Sequence, residues 1–61
     1  MRYRQARKLH NGDEVTVGRG YNSFKATVKD VHDYRFSKEC RIDVVTINNT
    51  YHYNILHTDI H

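Results

Sequence analysis

The stretch VTINNTYHYNI, Val45 to Ile55, decides how this chain folds. Two runs of β-branched and aromatic residues flank Asn48-Asn49, and asparagine is one of the few residue types that tolerates the positive φ of a tight hairpin loop. Read as a two-residue type I′ loop, Asn48-Asn49 sets Ile47 against Thr50, Thr46 against Tyr51, Val44 against Tyr53 and Ile42 against Ile55. Directly opposed residues share a sheet face. The register therefore predicts a C-terminal hairpin, 41–47/50–56, with Ile42, Val44, Thr46, Tyr51, Tyr53 and Ile55 on the core face. The opposite face carries Arg41 with Leu56, Asp43 with Asn54, and Val45 with His52. Asp43 then lies diagonal to His52, within reach of an exposed ion pair. Asn48-Asn49-Thr50 also matches a glycosylation acceptor, but without a secretory signal the turn reading is kept.

Upstream of the hairpin the same period-2 logic applies. His10-Asn11-Gly12-Asp13 reads as a turn that launches Glu14-Val15-Thr16-Val17, which alternates polar and apolar as a strand does. Gly18-Arg19-Gly20-Tyr21-Asn22-Ser23 reads as a loop whose glycines supply backbone freedom. The next strand, 24–29, points Phe24, Ala26 and Val28 inward and Lys25, Thr27 and Lys29 outward. The alternation slips at Asp30-Val31, where a bulge would return Val31 to the core. A charged loop over 33–39 precedes the hairpin. At the start of the chain, Tyr3, Ala6 and Leu9 recur at helical spacing over too few residues for a stable isolated helix. An irregular lead-in or a single helical turn is expected there, with Leu9 docked on the core.

Sixty-one residues make one small domain, and a chain of that size buries only about 60% of its unfolded surface. Cys40 is the only cysteine, so an intramolecular disulfide is excluded and a reducing cytoplasm is the expected setting. Its parity with Ile42 and Val44 predicts burial. At 38% hydrophobic and 28% charged residues, the composition is polar for a globular domain yet too apolar for disorder. No apolar run is long enough to cross a membrane or to serve as a signal peptide.

The net charge of +3 is unevenly spread. Arg2, Arg4, Arg7 and Lys8 all precede the first acidic residue, Asp13, so residues 1–8 read as a basic arm on a domain spanning 9–61. Such an arm is a common electrostatic footprint for nucleic acid or an acidic partner, and equally a solvated terminus.

Four to five short antiparallel strands need closure or strong curling to protect their edges, so the expected fold is all-β, a small and partly open barrel. Gly12-Asp13-Glu14-Val15-Thr16-Val17-Gly18-Arg19-Gly20 resembles the opening of SH3-like barrels and of KOW-type modules in particular. Val28-Lys29-Asp30-Val31 stands where those modules carry a Val-x-x-Val pattern. Tyr53 to Ile60, ending His57-Thr58-Asp59-Ile60, is similar to their closing strand. The resemblance spans residues 9–60 and departs where KOW modules have a second glycine, since Ala26 and Thr27 stand there. It implies a binding module of the kind found in ribosomal, transcription, chromatin, phage and adaptor proteins. A fold of this kind is no function by itself.

No nucleophile–base arrangement and no phosphate-cradling loop ahead of a helix appear, so a non-enzymatic role is expected. The spacing of His57, Asp59 and His61, with His52 upstream, invites a zinc reading. Surface histidines on a strand and a tail account for it more simply, and no metal or cofactor is assigned. Binding has more material. Arg2, Arg4, Arg7, Lys8, Arg19, Lys25, Lys29, Arg35 and Lys38 supply cations, with Tyr21, Tyr34 and Phe36 interleaved. Cations hold phosphates while exposed rings stack on unpaired bases, so RNA or DNA is the first expected partner. The alternative is a protein partner or a second copy, as in the small regulatory proteins of phages and mobile elements. Its surface would be the apolar patch of Val45, Ile47 and Leu56 on the outer face.

Overall fold

The computed structural model describes all residues from Met1 to His61. One helical turn, α1 (Tyr3–Ala6), precedes four strands: β1 (Glu14–Val17), β2 (Phe24–Tyr34), β3 (Glu39–Val45) and β4 (Tyr51–Leu56). Short 3₁₀ turns lie at Gly20–Asn22 and His57–Asp59. The strands form one antiparallel sheet in the order β1-β2-β3-β4. The fold is all-β, and no helix is long and apolar enough to cross a membrane.

Alternation builds the core. Val15 and Val17 of β1, Ala26 and Val28 of β2, and Cys40, Ile42 and Val44 of β3 are all buried, joined by Ala6 and Ile60. Met1, Tyr3, Leu9, Phe24, Val31 and Ile55 pack around them. The inward set expected for 24–28 is observed, and so is the slip. The β2–β3 register shifts between Val28 and Asp30, which leaves Val31 opposite Ile42. Beyond the slip, β2 runs on to Tyr34, so the expected charged loop contracts to Arg35–Lys38. The backbone hydrogen bonds of β3 hold these polar residues in the ladder although their side chains gain little burial.

The hairpin exists, but its register near the turn differs from the expected one. Asn49 alone takes positive φ in the loop, at 63°. Its N–H donates to the Thr46 carbonyl at 2.9 Å, and the Thr46 N–H donates to the Thr50 carbonyl at 2.9 Å. This is a three-residue loop, a type I turn followed by a left-handed residue. It sets Val45 against Tyr51 and Val44 against His52. Asn54, at φ 58°, is the extra residue opposite Asp43, and beyond it Ile42 and Ile55 pair as expected. Tyr51 and Tyr53 are consequently on the outer face, 49% and 67% exposed, and not in the core. His52 takes the inner side instead, its ring 4.9 Å from that of Phe24. The physical reason is that three asparagines, at 48, 49 and 54, all tolerate left-handed backbone. The chain uses the pair that needs only one strained residue in the loop.

After β4, the 3₁₀ turn carries Ile60 back to β1, where it bridges Val17. Thr16 and His61 exchange two backbone hydrogen bonds of 3.0 and 2.8 Å, and the Gly18 N–H donates to the Asp59 carbonyl at 2.8 Å. The free edge of β1 is thereby covered. Gly18 sits at φ +89°, and a Cβ there would meet the Asn22 carbonyl at 3.2 Å. Only glycine lets the β1–β2 loop fold back so closely.

With so few buried residues, each large one matters. Ile42→Ala is expected to cost about 2–5 kcal/mol, comparable to the whole stability of a domain this size. Its NMR spectrum should show a largely unfolded chain at 37 °C. Asn49→Gly should leave the thermal midpoint unchanged or higher, whereas Asn49→Val, forced to positive φ, should cost about 1–3 kcal/mol.

Candidate nucleic-acid interface

The basic arm is held by buried Ala6, by its N-terminal amine donating to the Ile60 carbonyl, and by side-chain contacts to Asp33 of β2. The Tyr3 hydroxyl donates to Asp33 Oδ1, and Arg7 Nε lies 3.5 Å from Asp33 Oδ2. The Arg7 guanidinium also lies over the Tyr3 ring, 5.7 Å from its centroid. The turn itself is short and held at both levels. Arg2 N–H donates to Gln5 Oε1 at 3.3 Å, Ala6 N–H donates to the Arg2 carbonyl at 2.9 Å, and the Ala6 side chain is fully buried. Hydrogen bonding to the Asp33 carboxylate keeps the Tyr3 phenol above its ordinary pKa, so Tyr3 remains a donor.

This docking brings the arm to the β2–β3 turn. Arg2, Arg4 and Arg7 line one groove with Tyr3, Gln5 and Lys38, an open concavity of about 600 Å³ with no acidic residue in its wall. Phe36 stands on the turn two residues from Lys38, its ring fully exposed, whereas Tyr34, at the end of β2 opposite Glu39, lines a separate concavity with Ser37, Glu39, Arg41 and Asn54. Arg35 is partly neutralised, with Nε 3.7 Å from Asp33 Oδ2. Arg2, Arg4 and Lys38 have no acidic partner. Lys8 is exposed just outside the groove.

The remaining cations are elsewhere. Arg19 and Tyr21 belong to the β1–β2 loop, at the opposite end of β2 from the Arg35–Lys38 turn. Eleven residues of strand separate those ends by roughly 30 Å. Arg19 donates to the Thr58 carbonyl at 3.4 Å, and Lys25 lies 4.0 Å from Glu14. Lys29 is exposed at the β2 bulge. The sequence set of cations and aromatics thus divides into a groove cluster and a distant group of Arg19, Tyr21 and Lys25, with Lys29 and Tyr34 on β2 belonging to neither.

The outer face holds two further features. Val45 is half-buried opposite Tyr51, Leu56 is half-buried opposite Arg41, and Ile47 projects fully into solvent from the loop. The register adds Tyr51 and Tyr53 to this apolar group, their rings stacked at 6.1 Å and 11°. Sequence reasoning placed these tyrosines inside. The second feature is charged. Asp43 does not meet His52. It accepts the Asn54 N–H at 3.0 Å through Oδ1 and faces His32 Nε2 at 3.1 Å through Oδ2. Asp30 Oδ2 lies 3.8 Å from the same nitrogen. These three residues are the group whose metal-ligating atoms converge, within 4.8 Å of one another. Their i, i+2 spacing on β2 was visible in the sequence, but Asp43 joins them only through the shifted registers. His52, His57 and His61 are instead dispersed: His52 on Phe24, His57 Nδ1 accepting the Cys40 N–H at 3.2 Å, and His61 paired with Thr16.

No family model, curated protein or solved structure matches this chain.

The titrations follow from these contacts. The hydrogen bond to Asp43 raises the His32 pKa against an opposing effect of burial. Burial pushes the Asp43 pKa upward, but the Asn54 N–H and His32 outweigh it, and the net shift is downward. The His32 contribution to stability is complete below about pH 6.5 and disappears as pH rises through the raised folded value. The Asp43 contribution is present above about pH 4 and disappears as pH falls through its lowered value. In buffer containing a chelator, the wild-type midpoint should therefore decline from pH 6 to pH 8 more than that of His32→Ala, measured by thermal denaturation. Cys40 is fully buried, and that burial raises its thiol pKa. Alkylation at pH 8 should label it only in denaturant, as read by mass spectrometry.

Proposed function

We propose that this protein is a non-enzymatic binding module with an SH3-like, partly open barrel, and that its groove takes single-stranded or looped nucleic acid. The observation that carries the reading is the meeting of Arg2, Arg4, Arg7 and Lys38 around one acid-free groove next to the turn that exposes Phe36. Unpaired cations attract phosphates, and an exposed ring offers a stacking surface for any base. Packed side chains of Val28, Ile42, Val44 and Ile60 fill the interior, which leaves binding to the exterior. The return of Ile60 to Val17 after a 3₁₀ turn supports the barrel reading, and the Gly12–Gly20 stretch keeps its resemblance to KOW-type modules. The lone reduced Cys40 suits a cytoplasmic setting.

A second reading, association with a protein or another copy, is favoured by the stacked Tyr51–Tyr53 pair beside Val45. The two readings separate on salt. Fluorescence anisotropy with short mixed-sequence RNA and DNA should give binding that weakens steeply as salt rises, with a slope near −0.7 per phosphate contact. Arg4→Ala combined with Lys38→Ala should flatten that slope by about one to two contacts, and Phe36→Ala should cost about 1–3 kcal/mol. Binding of neither nucleic acid, together with sedimentation as a dimer that Tyr53→Ala dissociates, would replace the first reading with the second.

A further inference from the structure

The Asp30–His32–Asp43 cluster lies outside the groove and is unexplained by it. Asp30 and Asp43 are directly opposed across the β2–β3 ladder, a like-charge pairing that destabilises a sheet unless something offsets it. Neither carboxylate has a lysine or arginine partner, and His32 is the ion-pair partner of both. Arg41, opposite His32 in the ladder, is engaged elsewhere: its Nε lies 3.0 Å from Glu39 and its Nη1 donates to the Asn54 carbonyl at 3.4 Å. The pair therefore retains uncompensated negative charge whenever His32 is neutral.

The orientation of the donors is also set from outside. Asp43 Oδ1 is occupied by the Asn54 N–H at 3.0 Å, and Asp30 Oδ1 by the Val31 N–H at 2.9 Å. In each case the second oxygen, Oδ2, is the one turned toward His32 Nε2, at 3.1 and 3.8 Å. Backbone hydrogen bonds of this kind orient ligating carboxylates in metal sites. We infer that Asp30, His32 and Asp43 form a surface site for a divalent first-row transition metal such as zinc, held through one oxygen of each aspartate and His32 Nε2. Two carboxylates and an imidazole suit zinc better than calcium or magnesium, which favour oxygen alone. Water completes the coordination. Ligand atoms in a tetrahedral zinc site lie about 3.4 Å apart, so the widest separation here, 4.8 Å, closes by small rotations of partly exposed side chains. The bound ion would neutralise the opposed aspartates and fasten β2 to β3, and through Asn54 would brace the β4 bulge.

The test is isothermal titration of the purified full chain with zinc chloride, paired with amide NMR of the same titration. One zinc per chain is expected, with shifts at Val31 and Asn54. His32→Ala and Asp43→Asn should each weaken binding by at least roughly tenfold, the lower end of what even the loss of an orienting partner costs. Asp43→Asn preserves an acceptor for the Asn54 N–H, and melting of both variants in chelator verifies that they fold. His52→Ala and His61→Ala should bind zinc as the wild type does. The inference is overturned if no heat and no shifts appear at tenfold excess zinc. It is equally overturned if His32→Ala and Asp43→Asn bind unchanged, or if affinity is lost in His52→Ala or His61→Ala instead.

Discussion

Asn54 absorbs a one-residue offset between the two halves of the β3–β4 ladder, and much of the molecule's surface chemistry depends on it. Below the bulge the pairing keeps Ile42 opposite Ile55, as the core requires. Above it the three-residue loop dictates Val45 opposite Tyr51. Those two requirements have opposite parity, and a strand can satisfy both only by inserting a residue that leaves the pleat. A left-handed asparagine does so at lower cost than a β-branched residue. The same step frees the Asn54 N–H for Asp43, moves His52 inward and turns two tyrosines outward.

Asp33 has a comparable role for the groove. It takes the Tyr3 hydroxyl, lies within ion-pair distance of Arg7 and Arg35, and so spends one negative charge on holding several cations near one another. These exposed pairs are individually weak. Their effect is positional, because the burial of Ala6 supplies the adhesion and Asp33 fixes the orientation. Arg2, Arg4 and Lys38 are then collected without being neutralised.

Strand alternation was legible wherever apolar and polar residues differ sharply. Val15 and Val17 announce β1, and Phe24, Ala26 and Val28 announce the first half of β2, with Val31 revealing the bulge. The second half of β2 was not legible, because Asp30 to Tyr34 are mostly polar and are held by backbone pairing. The hairpin was legible as an element, and so was its register from Arg41–Leu56 to Ile42–Ile55, but the register near the turn was not, since asparagine at 48, 49 or 54 serves equally well by local preference. That ambiguity also concealed the exposed tyrosines and the meeting of Asp43 with His32. Cationic residues of the groove could be read as charges one by one. Their convergence depends on a tertiary contact, Asp33 with Tyr3 and Arg7, that no local pattern encodes. The structure leaves Arg19, Tyr21 and Lys25 at the far end, so charge counting alone overstated the unity of the surface.

The bridge between Val17 and Ile60 ties early strand to late residue, and Ala6 packs in the same core as Ile60. Contacts so far apart along the chain must close long loops before they return any stabilisation. The hairpins of β2, β3 and β4 join sequence neighbours and are the elements that form first on that reasoning. Final consolidation waits for Ile60 to find β1, which places this fold toward the slow end for its size. During synthesis, this core stays incomplete until Ile60 has left the ribosome.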